Sequence, residues 1–455
     1  MHPRIRMRAL ALCVAALAAH PAGALTLPDA WRAALGHDAQ YRSSRHELES
    51  ARQDLPISRA TLLPNVSFNA STSKVRGRRE FANSLSQEVE VPLDYQAPQA
   101  SLQMRAPLIN FDALARTRQA YVAVEAAEQT FMAREADLAL RLIAGYLQVV
   151  AATDDQRVAA AEVQALQGQL ERQQRRHQQG EGTLTEIART QSALDGARVR
   201  VLDAELALAV ATRALRRITG VDSEILSRPG ADFSLLTLPH DRLQDWFDLA
   251  LKNNPVLKAR ELGVTLALRA ADRAKAGHMP RMDLVASISQ SRNESPTNVN
   301  QTTQTRSLGV QLSVPIYSGG GVEASIRQAL AERDRAEELL RADREAVLLD
   351  VERSFRAVSG SPEKLQAYQR ALQASQTELR GATRSQELGQ GTVAEVLDAR
   401  TRLSAAQRDL AQARLSYLEN RMKLLLSSGE PPEAVLDDLS RVMTEEVTVK
   451  PSPSK

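Results

Sequence analysis

Two short acid-bearing motifs are the best candidates for chemistry in this chain. Thr183-Leu184-Thr185-Glu186 follows Gly180 and Gly182, and Thr392-Val393-Ala394-Glu395 follows Gly389 and Gly391. Thr-x-x-Glu is a capping box, in which a hydroxyl and a carboxylate satisfy the orphan amides of a helix start. Asp398 stands one turn past Glu395 and outside the cap, so capping does not account for it. No catalytic constellation accompanies these acids. The Gly-rich segments lack the Lys of a phosphate loop, His46-Glu47 does not extend to HExxH, and no GxSxG elbow occurs. His37, His46, His177, His240 and His278 are scattered, without metal-ligand spacing. An enzyme is not expected, and neither is a cofactor or a metal.

The elements around these motifs are built twice. Gly180-x-Gly-Thr-Leu-Thr-Glu-Ile returns as Gly389-x-Gly-Thr-Val-Ala-Glu-Val, Trp31 pairs with Trp246, Pro64 with Pro280, and Pro107 with Pro315. A duplication of this length means one structural unit repeated. Each unit runs from a short helix through apolar-polar alternation to a long Ala-rich helix, a Gly-rich tip and a second helix. The expected organisation is a leader over 1–24, a first repeat over 25–220, a linker over 221–240, a second repeat over 241–428, and a final segment with a disordered tail over 429–455.

The leader reads as a secretory signal: Arg4, Arg6 and Arg8, an apolar run from Ala9 to Ala19, and Ala22-Gly-Ala24 as a cleavage site. The single cysteine, Cys13, falls inside it, so disulfides and thiol chemistry are not expected after removal. Lys and Arg number 58 against 55 Asp and Glu, and the three leader arginines account for the difference. A balanced chain gives no electrostatic case for nucleic acid. No segment after residue 24 reads as a membrane-spanning helix, so any crossing would be made by strands.

Four runs alternate with period two. They include Val66, Phe68 and Ala70; Leu102, Met104 and Ala106; Met282, Leu284, Ala286 and Ile288; and Leu308, Val310, Leu312 and Val314. Each spans about nine or ten residues, enough for a tilted strand to cross hydrocarbon, although half-buried soluble strands alternate too. Four strands cannot close a barrel, so membrane strands would require association with further copies. After each tip a heptad seam follows: Ile187, Leu194, Val201, Leu208 and Leu215 with Ala197, Ala204 and Ala211, then Val396, Leu403, Leu410, Tyr417 and Leu424 with Ala399, Ala406 and Ala413. The helix from Phe111 to about Gln179 would reach ~100 Å, too long for a compact domain.

Arg217-Ile-Thr-Gly220, Gly277-His-Met-Pro-Arg-Met-Asp-Leu, Leu312-Ser-Val-Pro-Ile-Tyr-Ser-Gly-Gly and Gly391-Thr-Val-Ala-Glu-Val-Leu-Asp-Ala, in this order along the chain and from both repeats, resemble the TolC family of outer-membrane channel-tunnels. The resemblance implies a mixed, mainly α fold: a duplicated unit forming a long coiled-coil α-helical barrel plus a transmembrane β-barrel, with four strands per chain and twelve in a trimer. It implies a homotrimer in outer-membrane lipid, a periplasmic adaptor (membrane fusion) protein, and an inner-membrane ABC exporter or other pump. The expected function is a passive exit duct, for type I protein secretion ahead of small-molecule efflux; a periplasmic coiled-coil scaffold is the remoter reading.

By the same resemblance, Glu395 and Asp398 match the acids that ring the family's periplasmic entrance, and Thr185-Glu186 match a pair latched by an Arg and a Tyr of the second tip. Here Gly391 stands at the Arg position and Gln386 at the Tyr position, so a weaker or different latch is expected. Adaptor contact is expected at Gly180, Gly182, Thr183, Leu184, Gly389, Gly391, Thr392 and Val393.

Overall fold

The computed structural model describes residues 24–82, 87–222, 224–230, 235–293 and 301–449. The expected leader up to residue 23 and the tail from residue 450 lie outside the described residues. Two units emerge. One gathers the chain up to Ser43, Arg134–Asn254 and the chain from Ala346 onward, and the other gathers Ser44–Ala133 and Pro255–Glu345.

The first repeat opens with α1 (Leu27–His37) and α2 (Ala39–Ala60) rather than one continuous helix. Thr26 caps α1 by accepting from the Asp29 amide, and Pro28 sits in its first turn, where a missing N–H costs nothing. The helix stops at Asp38, whose ψ of 120° is non-helical and whose carboxylate accepts from the Tyr41 amide at 2.8 Å. Arg141 grips the same carboxylate from α3 (Phe111–Gln178) at 3.0 and 3.2 Å. Burial alone would raise the Asp38 pKa, but the Arg141 and backbone hydrogen bonds outweigh it and hold the group below the ordinary carboxylate value. The second repeat breaks at the matching place. There α5 (Leu243–Asn253) gives way to α6 (Pro255–Lys275) at Asn254, because Pro255 drives the preceding residue out of the helical region.

In the first repeat, α3 runs unbroken for 68 residues into the tip, and α4 (Leu184–Thr219) returns. In the second, α7 (Gly321–Ser359) and α8 (Ser361–Glu387) are separated at Gly360, with Pro362 in the first turn of α8. The two repeats therefore differ in helix continuity. The return helix is α9 (Val393–Ser427), followed by α10 (Pro432–Ser440). The heptad seams are buried at Leu194, Ala197, Leu208, Ala211 and Leu215 of α4, and at Val396, Ala399, Ala406, Leu410, Tyr417 and Leu424 of α9. A second stripe on α4, formed by Val199, Leu202, Leu206 and Val210, faces outward and is exposed in the single chain.

The core of the first unit gathers Trp31, Leu142, Tyr146, Leu208 and Leu215 with Trp246, Leu418, Leu424 and Leu436, so both repeats supply it. The expectation that no later segment is apolar enough to cross a membrane is corrected here: one 18-residue window of α3 passes by length and composition. More than half of that window is buried inside the protein, as α3 residues such as Leu138 and Val149 are core residues.

Two segments outside the repeats meet. Strand β3 (Ile225–Arg228) pairs antiparallel with β6 (Glu445–Thr448), and the Leu25 amide donates to Ile225 O at 2.8 Å. Tyr146 holds this junction, since its hydroxyl lies 2.8 Å from Leu25 O and 2.9 Å from Ser227 O and accepts from the Ser227 amide at 2.9 Å. Burial pushes the phenol up to about 12. Tyr146→Phe leaves the packing intact but strands buried backbone groups. It should cost about 1–3 kcal/mol, read as a lower unfolding midpoint of the extracted protein with unchanged helical content.

The second unit carries an antiparallel sheet in the order β1 (Asn65–Ala82), β2 (Glu88–Asn110), β4 (Arg281–Asn293), β5 (Gln301–Ser313). The first two strands are far longer than the nine or ten residues expected. Their ladder continues through the polar stretch from Ser71 to Glu80, because a strand's backbone pairs whatever the polarity of its side chains.

Register places the apolar residues on one face. Phe68, Leu102 and Ile288 form one row, which ends in Arg306 on β5; Val66, Met104, Ala286 and Leu308 form the next, and Ala106, Leu284 and Val310 a third. Ser67, Gln103, Ser287 and Ser307 form a row on the opposite face, where the Ser287 and Ser307 hydroxyls lie 2.7 Å apart. The sheet ends at β1 on one side and β5 on the other, with no further strand along either edge among the described residues.

Candidate functional site

The first tip is made by the end of α3 and the start of α4. Gly180 adopts φ +83°, and the Glu181 amide reaches back to Arg176 O at 2.9 Å, which closes the last turn of α3. Gly182 passes so close that a Cβ would lie 3.3 Å from the His177 amide nitrogen. His177 Nδ1 and Gly182 O, 2.8 Å apart, tie the loop across. Thr183 then caps α4: its hydroxyl accepts from the Glu186 amide at 3.2 Å while Glu186 Oε2 accepts from the Thr183 amide at 3.1 Å.

The second tip repeats this loop with different side chains. Gly389 adopts φ +74°, and the Gln390 and Gly391 amides donate to Ser385 O at 2.9 and 3.0 Å. Thr392 and Glu395 complete the second box at 3.3 and 2.9 Å. A Cβ on Gly391 would meet Ser385 Cβ at 3.0 Å, the Gln386 amide nitrogen at 3.1 Å and Glu395 Oε2 at 3.2 Å. The position where the resemblance leads one to look for an Arg is thus filled by the returning backbone. Glu186 makes no ion pair among the described residues.

The candidate residues separate by exposure. Thr185, Glu395 and Asp398 are exposed. Leu184 is 68% exposed, whereas its repeat counterpart Val393 is 3% exposed. Val393 is therefore corrected from a contact residue to an interior one, and of the two only Leu184 offers an apolar surface. Asp398 precedes Arg402 by one helical turn. Arg402 is held by Glu378 of α8, which raises its pKa, with a smaller contribution from Asp398.

A buried polar seam runs beside these tips. Glu162, Leu166, Gln169 and Gln173 of α3 follow the four-three-four spacing of a coiled-coil seam, yet three of the four are polar. Arg200 of α4 binds Glu162 in a fork at 2.8 and 3.3 Å. Gln169 has neither amide atom paired, Gln173 Oε1 is unpaired, and so is Arg400 Nε of α9. Burial pulls the Arg400 pKa down, and neighbouring Arg172 adds to this. The spacing is visible in the sequence, but a search for apolar heptads passes over it.

The family model for outer membrane efflux proteins matches residues 31–221 and 246–430, most of both repeats. The chain belongs to the outer membrane efflux protein family. The proteases secretion protein PrtF of Dickeya chrysanthemi is 30% identical over 433 residues, covering 93% of this chain and 92% of that protein. The outer membrane protein TolC of Escherichia coli is 25% identical over 422 residues, covering 90% and 84%. The crystal structure of the Campylobacter jejuni CmeC outer membrane channel aligns with a TM-score of 0.75 at 15% identity, covering 92% of this chain and 89% of that one. This efflux-family protein is accordingly an outer-membrane protein of the TolC type, mainly helical with an antiparallel strand domain. Its helical part lies in the periplasm.

Proposed function

We propose that this outer-membrane protein is one third of a homotrimeric exit duct for type I protein secretion, docked on a periplasmic adaptor and an inner-membrane ABC exporter. One observation carries the reading: a four-stranded sheet with one mainly apolar face and, among the described residues, two unpaired edges. In hydrocarbon each unpaired backbone group costs several kcal/mol, roughly, so the edges must join those of other copies. Three copies give a closed barrel of twelve strands. The exposed stripe of Val199, Leu202, Leu206 and Val210 supports association along the helices as well. The likeness to PrtF over nearly the whole of both chains favours protein cargo.

The tips form the entrance in this reading. Glu395 and Asp398 are exposed and repeat in three copies, which makes a negative collar able to hold cations. Leu184, with Gly180, Gly182 and Thr183 of its own tip and Gly389, Gly391 and Thr392 of the other, offers the adaptor a surface. Thr185 and Glu186 remain beside the entrance, and without a latching Arg at Gly391 the closed state rests on helix packing. In the seam, Gln169, Gln173 and Arg400 weaken that packing near the tips, since unpaired buried polar atoms favour helix separation. The chain supplies no drive for transport; the inner-membrane partner does.

Single-channel recording of the purified trimer tests this. A cation-selective pore is expected, blocked by multivalent cations from the tip side. Glu395→Gln/Asp398→Asn keeps the capping box, because Gln serves at the third position, and should weaken the block at least about tenfold. An unchanged block demotes the acids to caps and leaves the duct standing. A well-folded, membrane-extracted oligomer with no conductance removes the duct. Small-molecule efflux is the second reading, favoured by the family that the chain matches. A deletion strain that secretes its proteins normally but gains drug sensitivity would establish it.

A further inference from the structure

The hairpin of β1 and β2 outruns its sheet. Its ladder is unbroken from Asn65 opposite Arg105 to Ala82 opposite Glu88, whereas β2 meets β4 only from Gln99 to Asn110. Beyond Ser71 and Gln99 the two strands continue as a ribbon with no third strand among the described residues. No bulge interrupts the β1–β2 register, so face follows parity along the whole hairpin.

Parity shows an inversion. Within the sheet the even positions are apolar (Val66, Phe68, Leu102, Met104) and the odd ones polar (Ser67, Asn69, Ser101, Gln103). Along the ribbon the even face becomes charged. Lys74 and Arg76 pair with Asp94 at 3.5 and 3.6 Å, and Arg78 pairs with Glu90 at 3.0 Å. The odd face becomes mainly apolar, with Val75 opposite Tyr95, and with Val89, Val91 and Leu93, while Arg79 stands opposite Val91.

One environment explains the even face: apolar where it meets hydrocarbon, charged where the strand leaves it. The odd face needs a different account, because it turns apolar just where the lipid ends. A two-stranded ribbon is marginal in water without cover for such a face, and this side is opposite to lipid. In a barrel closed by copies of the chain it points at the common axis, and there the equivalent hairpins of the other copies are the surfaces within reach. We propose that Val75, Val91, Leu93 and Tyr95 of the copies pack on one another outside the membrane, in a closure that narrows the outer mouth of the duct without sealing it. The proposal rests on the trimeric duct reading.

Cysteine crosslinking tests it in the full-length protein, whose single natural cysteine, Cys13, lies in the expected leader. Leu93→Cys and Tyr95→Cys on the inner face are compared with Arg76→Cys on the outer one, using a short bismaleimide on bilayer-embedded protein. The expected result is covalent dimers of the two inner variants at least about tenfold above Arg76→Cys, as proximity to one axis raises effective concentration. An intact trimer in which the inner variants do not crosslink overturns the closure and leaves the duct. So does preferential labelling of Leu93→Cys by a maleimide dissolved in the lipid, which would place the face on the membrane. A chain that extracts as a folded monomer overturns the duct reading and the closure with it.

Discussion

Gly429→Ala should be among the most damaging single-methyl additions to this protein, and far worse than Gly220→Ala. The two glycines end the return helices of the two repeats, Gly220 after α4 and Gly429 after α9, and both have positive φ, +71° and +91°. A non-glycine residue in that region costs roughly 1–2 kcal/mol. Their neighbours separate them. At Gly220 the added Cβ would lie 2.6 Å from Cγ and Nδ1 of the His37 ring, which can swing aside. At Gly429 it would lie 2.5 Å from Asn253 Cβ and 2.7 Å from the Asn253 carbonyl carbon, and that backbone cannot move alone. Asn254 also donates to Ser427 O at 2.9 Å, fixing the joint from the other side. Overpacking adds about 1–3 kcal/mol, so Gly429→Ala should lose about 2–5 kcal/mol and Gly220→Ala about half of that. Urea unfolding of the detergent-extracted protein, followed by far-ultraviolet circular dichroism, measures both. Equal losses would show that the Asn253 backbone yields and that the contact is not rigid.

Leu308→Arg should deplete the folded protein in the membrane, while Ser307→Arg, one residue away, should be tolerated. Leu308 is 75% exposed in the single chain and sits in the row of Val66, Met104 and Ala286. A guanidinium there would enter the apolar band one row inside Arg306, at up to roughly 2–4 kcal/mol per copy. Ser307 lies in the polar row with Ser67, Gln103 and Ser287, where a charge stays in water. The readout is the fraction of SDS-resistant oligomer in outer-membrane preparations. Similar amounts for both variants would mean that the sheet does not present its apolar face to lipid.

Local features were the most legible ones. Both capping boxes form from four consecutive residues each, as Thr-x-x-Glu after a glycine pair predicts. The Leu, Val and Ala positions of the α4 and α9 seams are largely buried because heptad spacing turns them to one side. Period-two alternation located the apolar parts of the four sheet strands. It did not give their lengths, since the ribbon beyond Ser71 is held by backbone pairing and by ion pairs such as Arg78 with Glu90, not by apolar alternation in register with the sheet.

Sequence by itself determined the duplication, the tip loops, the seams and the polarity of each sheet face, because each depends on spacing within one element. Tertiary structure alone decided the rest. Asp38 ends a helix partly because Arg141 waits for its carboxylate from more than a hundred residues away. Leu184 and Val393 occupy matching places in matching loops, yet one is exposed and the other buried, because the two tips have different neighbours. Which residues share a face of the ribbon is fixed only by the strand register. Spacing fixes which side of an element is apolar; only the packed chain fixes what that side meets.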